Sequence, residues 1–407
     1  MTDVRGMESN RRDTGPRVFD GVRVLDFTAV LAGPYCTRLM ADLGADVVKI
    51  ESPEGELFRH VPPFRDGVSA LFSPINAGKR CIALDLKHPD AAALVTALVP
   101  RFDVVVENFS PGVMARLGFD YPTLAALHPK LVMCSISGFG QTGPDAMKPA
   151  FAPIVHAWSG YDMATLRYQP GQTQPPNMGL PVGDTSTSLQ AFGAIAAALF
   201  HRERTGRGQY IDIAMFDTLL AQMQKDFQQY QIPGTADRIY GPLATQDGAV
   251  LIMLLSPRHF ESLAEIIEQP ALKSDPRFAT TAARMHHYTE LMAIAGEWIA
   301  GHTTGEALAR LEAAGIPITR YRDLAEVARD PQLLHRGMMT HVIDAAGQLL
   351  VPNTPFLFSA TEAAVRPQVP RLGEHTREVL SAELGCTEQA LNALAAAGAV
   401  FDGRGAS

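Results

Sequence analysis

Gly21-Val-Arg-Val-Leu-Asp-Phe-Thr28, then Ala32-Gly-Pro-Tyr-Cys-Thr-Arg-Leu-Met-Ala-Asp-Leu-Gly44, then Asp46-Val-Val-Lys-Ile-Glu51, is the stretch from which the fold is read. The first piece has the short apolar, β-branched pattern of a strand. The second reads as a helix entered through Gly33-Pro34 and stopped by Gly44, and the third as another strand. Strand, helix and strand over so short a distance make a βαβ unit. Such units bind ligands at the carboxyl ends of their strands, where helix N-termini attract phosphate. The full G-x-G-x-x-G pattern is missing, which speaks against a nicotinamide dinucleotide and leaves other nucleotide-bearing ligands open.

Working outward, the alternation continues: strand Cys81–Leu86, helix Pro89–Pro100, strand Asp103–Asn108, helix Tyr121–His128, strand Leu131–Gly138 and, further on, strand Tyr210–Ala214 with a helix Met215–Gln231. This predicts an α/β fold, a doubly wound, Rossmann-like parallel sheet covered by helices. Polar or glycine-rich turns recur at the strand ends: Glu51-Ser52-Pro53, Asn76-Ala-Gly-Lys-Arg80, Asn108-Phe-Ser-Pro-Gly112 and Gly138-Phe-Gly-Gln-Thr-Gly-Pro144. Singly each is a turn; together they predict a binding crevice. Four segments are expected: a disordered tail (1–17), a large domain (18–231), a smaller α/β domain (232–347), and a proline-punctuated linker with a C-terminal helix returning to the large domain (348–407). In the smaller domain a strand Ala249–Leu255 precedes amphipathic helices around 258–268, 289–301 and 304–315.

A chain of 407 residues with formal net charge −8 and no long Lys/Arg run is a poor partner for nucleic acid. Its four cysteines, Cys36, Cys81, Cys134 and Cys386, form no CxxC pair, and reduced buried thiols are expected. No apolar segment reads as a signal peptide or a membrane span, so a cytoplasmic location is expected. The twelve histidines are scattered, and no metal site is expected.

Gly179 to Phe200 carries the chemistry. A Pro/Gly-rich loop runs into Asp184, then a cluster of hydroxyl residues opens a long, nearly uncharged helix. Asp184 is expected at the helix N-cap, on a helix buried on most sides. No G-x-S-x-G or Walker A loop is present. What remains is a carboxylate nucleophile or base at a helix N-terminus, with Lys79, Arg80, Arg116 and Lys148 as candidate phosphate partners. Residue chemistry alone leaves acyl and phosphoryl transfer on a nucleotide-bearing substrate both open.

The blocks quoted above, with Val106-Glu-Asn-Phe109, Gly183-Asp184, Thr205-Gly-Arg-Gly-Gln209, Asp330-Pro-Gln-Leu333 and Gly373-Glu-His-Thr376, resemble the family III CoA-transferases, the formyl-CoA and carnitine CoA-transferase group. The resemblance covers nearly everything after residue 18, in order. It implies a large α/β domain and a smaller one joined by long linkers, in an interlocked homodimer. It implies Asp184 as nucleophile, and CoA contacts from Val30, Leu31, Ala32, Ser52, Arg59, Asn76, Lys79, Asn108, Phe109, Arg116, Leu117 and Lys148. Substrate contacts are expected from Phe151, His156 and Tyr161. It further implies acyl-CoA and a carboxylic acid as substrates, with coenzyme A entering as substrate and no cofactor bound permanently. Two departures stand out. Ser52 occupies a place where members often carry arginine, and Ala150-Phe151-Ala152 lacks the acid common at the end of that triplet.

Two alternatives stay open at this point. The family also contains α-methylacyl-CoA racemases, whose paired His and Asp flank the α-carbon; Phe151 stands where that His is expected, with His156 as a possible substitute. The other is a CoA-binding protein without turnover. A second carboxylate, as in a dicarboxylic or hydroxy acid, has candidate partners in Arg167, Gln172 and Gln174, and the turn Tyr240-Gly241-Pro242 is a candidate lid.

Overall fold

The computed structural model describes residues 17–232, 240–254 and 256–403. The expected tail therefore lies outside the described residues except for Arg17, as does Leu255 at the end of the expected strand 249–255.

The described chain forms two compact units. One takes the chain up to Tyr161, Asn177–Gln222 and everything from Pro331 on; the other takes Asp162–Pro176 and Met223–Asp330. These divisions differ from those expected at 231/232 and 347/348, for local reasons. The strand Met339–Asp344 pairs with Gly347–Pro352, and their Val342 and Val351 bury against Phe72 and Ala77 of the first unit. Asp344 also accepts from Arg65 and from Ser73, both at 2.7 Å. On the other side, Tyr168 donates to Asp226 at 2.6 Å, tying the 162–176 segment to the second unit. The single helix expected over Met215–Gln231 is two, Met215–Gln222 and Gln224–Gln231, and the break at Met223 coincides with the change of unit.

The first unit is built on a seven-stranded sheet. Its strands are β1 (Arg23–Asp26), β2 (Asp46–Glu51), β3 (Arg80–Leu84), β4 (Val104–Glu107), β5 (Val132–Ser137), β6 (Gln209–Ala214) and β7 (Val400–Phe401). They lie in the order β7-β3-β2-β1-β4-β5-β6, all neighbours parallel except the β7–β3 edge pair. The order reverses at β1, so the crevice of a doubly wound sheet opens beside the carboxyl end of that strand.

Period-two alternation sends successive side chains to opposite faces. Leu25, Val48, Val105 and Met133 go to one core, where Val95, Leu98 and Leu391 cover them. Val24, Val47, Val104 and Cys134 go to the other, beneath Cys36 and Met40 of helix α1 (Ala32–Asp42) and Ala191 and Ile195 of the long helix Val182–Thr205. The Gly373-Glu-His-Thr376 motif closes the β3 side: Cys81 N–H donates to His375 Nδ1 at 3.2 Å and Ala83 N–H to Thr376 Oγ1 at 3.0 Å. Edge donors are thereby covered by the returning chain. Gly208 is required where the chain enters β6, because a Cβ there would stand 1.9 Å from the Leu131 carbonyl oxygen.

The second unit has a three-stranded antiparallel sheet, Leu243–Ala244, Ala249–Ile252 and Ile318–Arg320, with Ala249–Ile252 central. Its core joins Val250 and Ile252 to Phe260, Leu263, Leu291, Ile299 and Leu311 from the helices Pro257–Ile266, Tyr288–Ala300 and Thr304–Ala313.

At the end of β1 sits a buried charge network. Asp26 is fully buried and accepts from Thr28 N–H (2.9 Å), Thr28 Oγ1 (2.5 Å), Thr37 Oγ1 (2.7 Å) and Lys79 Nζ (3.0 Å). Burial alone would raise its carboxyl, but Lys79, Lys49 and the two hydroxyls outweigh that and hold it at about 2. Removing one partner of such a pair leaves a charge stranded in the interior. Asp26→Ala is therefore expected to cost about 3–5 kcal/mol of unfolding free energy in urea titrations. A loss below about 1 kcal/mol, the level of a surface pair, would show that the network does not hold the fold.

Candidate active site

Helix α6 (Val182–Thr205) follows α2 (Pro89–Leu98), α3 (Val113–Arg116), α4 (Tyr121–Leu127) and α5 (Ala152–Ser159). It begins earlier than the sequence suggests. Pro181 is its N-cap and no side chain caps it from there, so Asp184 stands in the first turn and is not the cap. The capping is done from outside the helix: the Gly183 N–H donates to Nε2 of buried His156, on α5, at 2.9 Å. Gly183 is what permits this approach, since a Cβ there would come within 3.0 Å of His156 Nε2 and 2.8 Å of Met215 Sδ. The hydroxyl cluster is spent on helix and packing. Thr185 and Thr187 donate to the Pro181 and Gly183 carbonyls, while Ser188 reaches both the Asp184 carbonyl and, at 2.7 Å, the Ala32 carbonyl of α1. The turn that carries Asp184 is thus pinned to the start of α1.

Asp184 itself is half-buried, and burial pushes its carboxyl up to about 6. The helix is not enclosed on most sides as its composition suggested. Gly183, Thr187, Ala191, Ile195 and Ala198 form one buried stripe, while Leu189 and Phe200 are exposed. Small residues at a helical spacing allow close packing on α1 without requiring burial of the opposite face.

Opposite lies the turn between β1 and α1. Val30 has φ +68, a left-handed conformation that a β-branched residue adopts only when its surroundings impose it, at a cost on the order of 1–3 kcal/mol. The constraints are visible. Asn108 holds Ala29 from both sides, accepting its N–H at 2.9 Å and donating to its carbonyl at 2.8 Å. Glu56 accepts the Val30 N–H at 2.9 Å. Lys49 donates to the Thr28 carbonyl at 2.5 Å. Leu31 then forms the α1 N-cap without any side-chain cap, and among the described residues no side chain accepts from the first-turn amides of Ala32 and Gly33.

The carboxyl ends of β1, β2 and β3 enclose a cavity of about 590 Å³. Thr28 and Ala29, the loop Ser52–Glu56, Asp85–Lys87 and, from beyond β4, Phe109, Val113 and Leu117 line it. Ser52, Phe109 and Leu117 of the expected CoA set thus share one pocket at the switch point of the sheet, and Val30, Leu31 and Ala32 continue from its wall into α1. Sequence reasoning missed Glu56, Lys87 and Phe401, which also line it. The acidic Glu54-Gly-Glu56 turn was the one available signal, and it does not announce a buried carboxylate.

Several expected contacts are placed differently. Lys79 and Asn76 are buried, and the Lys79 ammonium is committed to Asp26, the Pro34 carbonyl (2.9 Å) and Asn76 Oδ1 (2.8 Å), so it anchors the corner and is closed to a ligand phosphate. Arg59 makes a bidentate pair with Glu51, both bonds at 2.7 Å, and lies 3.7 Å over the Phe72 ring. Arg80 pairs with Asp46 at 2.6 Å. Arg116 is exposed on α3. Lys148 pairs with Asp145 at 2.7 Å and sits 3.8 Å over Trp158, away from the cavity lining. Phe151, the N-cap of α5, is 62% exposed. Tyr161 packs its ring 5.2 Å from that of His156, whose Nε2 is already occupied by the helix backbone. Among the described residues no group of three His, Cys, Asp or Glu side chains is arranged to hold a metal ion.

Comparison with known proteins places this geometry. The chain is 35% identical over 396 residues to the succinyl-CoA–D-citramalate CoA-transferase of Chloroflexus aurantiacus, covering 94% of this chain and 98% of that one. It is 37% identical over 370 residues to the acetyl-CoA:oxalate CoA-transferase of Acetobacter aceti, covering 88% and 93%. The crystal structure of a CAIB/BAIF family protein from Brucella suis superposes with a TM-score of 0.77 at 31% identity, covering 90% of this chain and 100% of that one. The family profile of CoA-transferase family III matches residues 19–376, and the chain belongs to that family.

Proposed function

We propose that Asp184 is the nucleophile through which this enzyme moves CoA from an acyl-CoA thioester to a free carboxylic acid. The supporting observation is a single half-buried carboxylate in the first turn of α6, raised to about 6 by burial and fixed beside the uncapped start of α1. Desolvation makes the anion a better nucleophile than one in water, while leaving it ionised at neutral pH.

The steps follow from that placement. A carboxylate oxygen of Asp184 attacks the thioester carbonyl; the C–S bond breaks, giving a mixed anhydride and CoA thiolate. The thiolate attacks the aspartyl carbonyl of the anhydride, forming an aspartyl-CoA thioester and releasing the donor acid as its carboxylate. The acceptor carboxylate attacks this thioester, CoA thiolate leaves again, and its attack on the acceptor carbonyl yields the new acyl-CoA and restores Asp184. Backbone amides of Ala32 and Gly33 are suited to receive the negative charge that develops on each attacked carbonyl oxygen. Each step exchanges one activated acyl group for another, so no external energy source enters.

The nucleotide part of CoA is assigned to the 590 Å³ cavity, with Ser52, Phe109 and Leu117 in contact and Lys87 and Arg116 as the exposed cations nearest in sequence to its walls. Asn76, Lys79, Asn108 and Arg59 act as positioning residues. The acceptor is read as a dicarboxylic acid, as the names of the relatives suggest for those proteins. The exposed Phe151, Trp158, Leu189 and Phe200 of the first unit support assembly as a homodimer, read as interlocked and cytoplasmic. Among the described residues no helix is long and apolar enough to cross a membrane. Racemisation is the weaker reading, because His156 points its Nε2 at the α6 backbone and Phe151 carries no proton.

Asp184→Ala is expected to lower transfer from succinyl-CoA or acetyl-CoA to dicarboxylic acceptors by at least about 10³-fold, with no aspartyl adduct by mass spectrometry. Transfer at the parent rate by that variant would remove Asp184 from the chemistry. Deuterium appearing at the α-carbon of acyl-CoA in D2O, without acceptor or adduct, would favour the racemase.

The titration gives a further expectation. In the free enzyme, kcat/KM for the donor should rise with pH through about 6 and level off above, because the carboxylate is the reactive form. The folded carboxyl lies above its ordinary value, so its contribution to stability is present while it is protonated and is lost as pH rises through 6. Asp184→Asn should therefore unfold at higher urea than the parent at pH 7.5, by about 1–3 kcal/mol, with the advantage gone below about pH 4. Equal midpoints at pH 7.5 would contradict the burial argument.

A further inference from the structure

Glu56 stands outside the chemistry just described, yet it touches both the cavity and the strained turn. It is 7% exposed and begins the short helical turn Leu57–Arg59. One oxygen, Oε2, accepts two backbone N–H groups, from Val30 at 2.9 Å and from Phe58 at 3.1 Å. Its own N–H donates to Glu51 Oε2 at 3.0 Å, and Glu51 is locked in turn by Arg59. The carboxylate is therefore rigidly oriented. Its other oxygen, Oε1, is buried, and among the described residues no hydrogen-bond donor reaches it. Buried carboxylate oxygens without a donor are rare because the lost hydration is not returned. Glu56 is also one of the residues that line the cavity.

We infer that Glu56 is a positioning residue that couples occupation of the cavity to the conformation of Val30: Oε2 fixes the β1–α1 turn, and Oε1 accepts an N–H or O–H of the bound CoA moiety. The inference rests on the assignment of the cavity to CoA. CoA offers such donors on its pantetheine amides, its ribose hydroxyl and its adenine amino group, and all share the chemistry that Oε1 lacks. A carboxyl oxygen without a donor is matched by an N–H or O–H, so an anionic part of the ligand is not what it selects. With Oε1 satisfied by the ligand, Oε2 and Val30 are held in the geometry that presents the start of α1 to the thioester. Without the clamp, the left-handed Val30 loses its own hydrogen bond and keeps only the constraints on Thr28 and Ala29.

Two substitutions separate the two oxygens. In Glu56→Gln the amide oxygen must face the Val30 and Phe58 N–H groups, which turns an NH2 donor toward the position of Oε1 and sets donor against donor. Free CoA should then bind about tenfold more weakly in calorimetry, and KM for the acyl-CoA donor should rise by a similar factor with kcat nearly unchanged. In Glu56→Ala the clamp is lost and kcat should fall by about tenfold or more. Adding Val30→Gly to Glu56→Ala should recover much of that kcat, because glycine holds φ +68 unaided. Repeating the calorimetry with pantetheine locates the donor: a loss seen there places it on the arm, and a loss confined to CoA places it on the nucleotide. Parental CoA affinity in Glu56→Gln, or parental kcat in Glu56→Ala, overturns the inference. Failure of the parent itself to bind CoA would instead overturn the assignment of the cavity, and this inference with it.

Discussion

A fully buried carboxylate at the end of the first strand organises this molecule. Asp26 sits at the point where the strand order reverses, and its four hydrogen bonds reach the turn after β1, helix α1 and the loop before β3. An isolated charge there would be prohibitive. Lys79 and Lys49 make it tolerable, and in doing so they take up the carbonyls of Pro34 and Thr28. The network therefore does more than neutralise itself. It fixes the path of the chain on both sides of residues 28 to 34, the segment proposed to meet the thioester. A hydrophobic substitute could fill the same volume, but it could not orient those carbonyls.

The second requirement is close backbone approach at the starts of α1 and α6. Gly33 would collide with Thr28 if it had a Cβ, and Gly183 would collide with His156 and Met215. Both glycines stand in first turns, one in each of the two helices that flank the proposed site. Ser188 then joins the helices by donating to the Ala32 carbonyl. Asp184 is held one turn away by backbone geometry, with no side-chain salt bridge to lower its basicity. Its position and its raised pKa thus have one origin: close packing of small residues that excludes water and supplies no counter-ion.

The sheet was legible because period-two alternation and turn residues are local signals. Strand β2 falls at 46–51 as read, and β1 and β3 to β6 lie within a residue or two of their expected ends, while the edge strand β7 was not read at all. Asp184 was legible as a residue at the start of a long helix through the Pro/Gly loop ahead of it, but not its place in the turn. The residue that caps α6 is a histidine 27 positions upstream, and nothing local couples His156 to Gly183. The burial of Lys79 was hidden for a different reason. A lysine in a loop has the sequence signature of a surface cation, and only the neighbours assembled from β1 and α1 make it a buried counter-ion. The unit boundaries were missed because they depend on where Val342 and Val351 find a core, which is a long-range fact.

Destabilising features collect in one place. Val30 is left-handed, Asp184 is desolvated, Glu56 keeps an oxygen without a donor, and all three lie along the carboxyl edge of the sheet or on the turn that faces it. Elsewhere in the first unit strands alternate, α6 ends in a left-handed Gly206 and edge donors are covered, but Asp66 is also left-handed and burial also raises the Asp42 carboxyl, to about 7. A sheet this well buried can carry a few kcal/mol of local strain where a site requires it. The strain is also not diffuse. The segments that bear it, Thr28 to Gly33 and Ser52 to Arg59, are cross-linked by Glu56, and Asn108 ties the first of them to the end of β4.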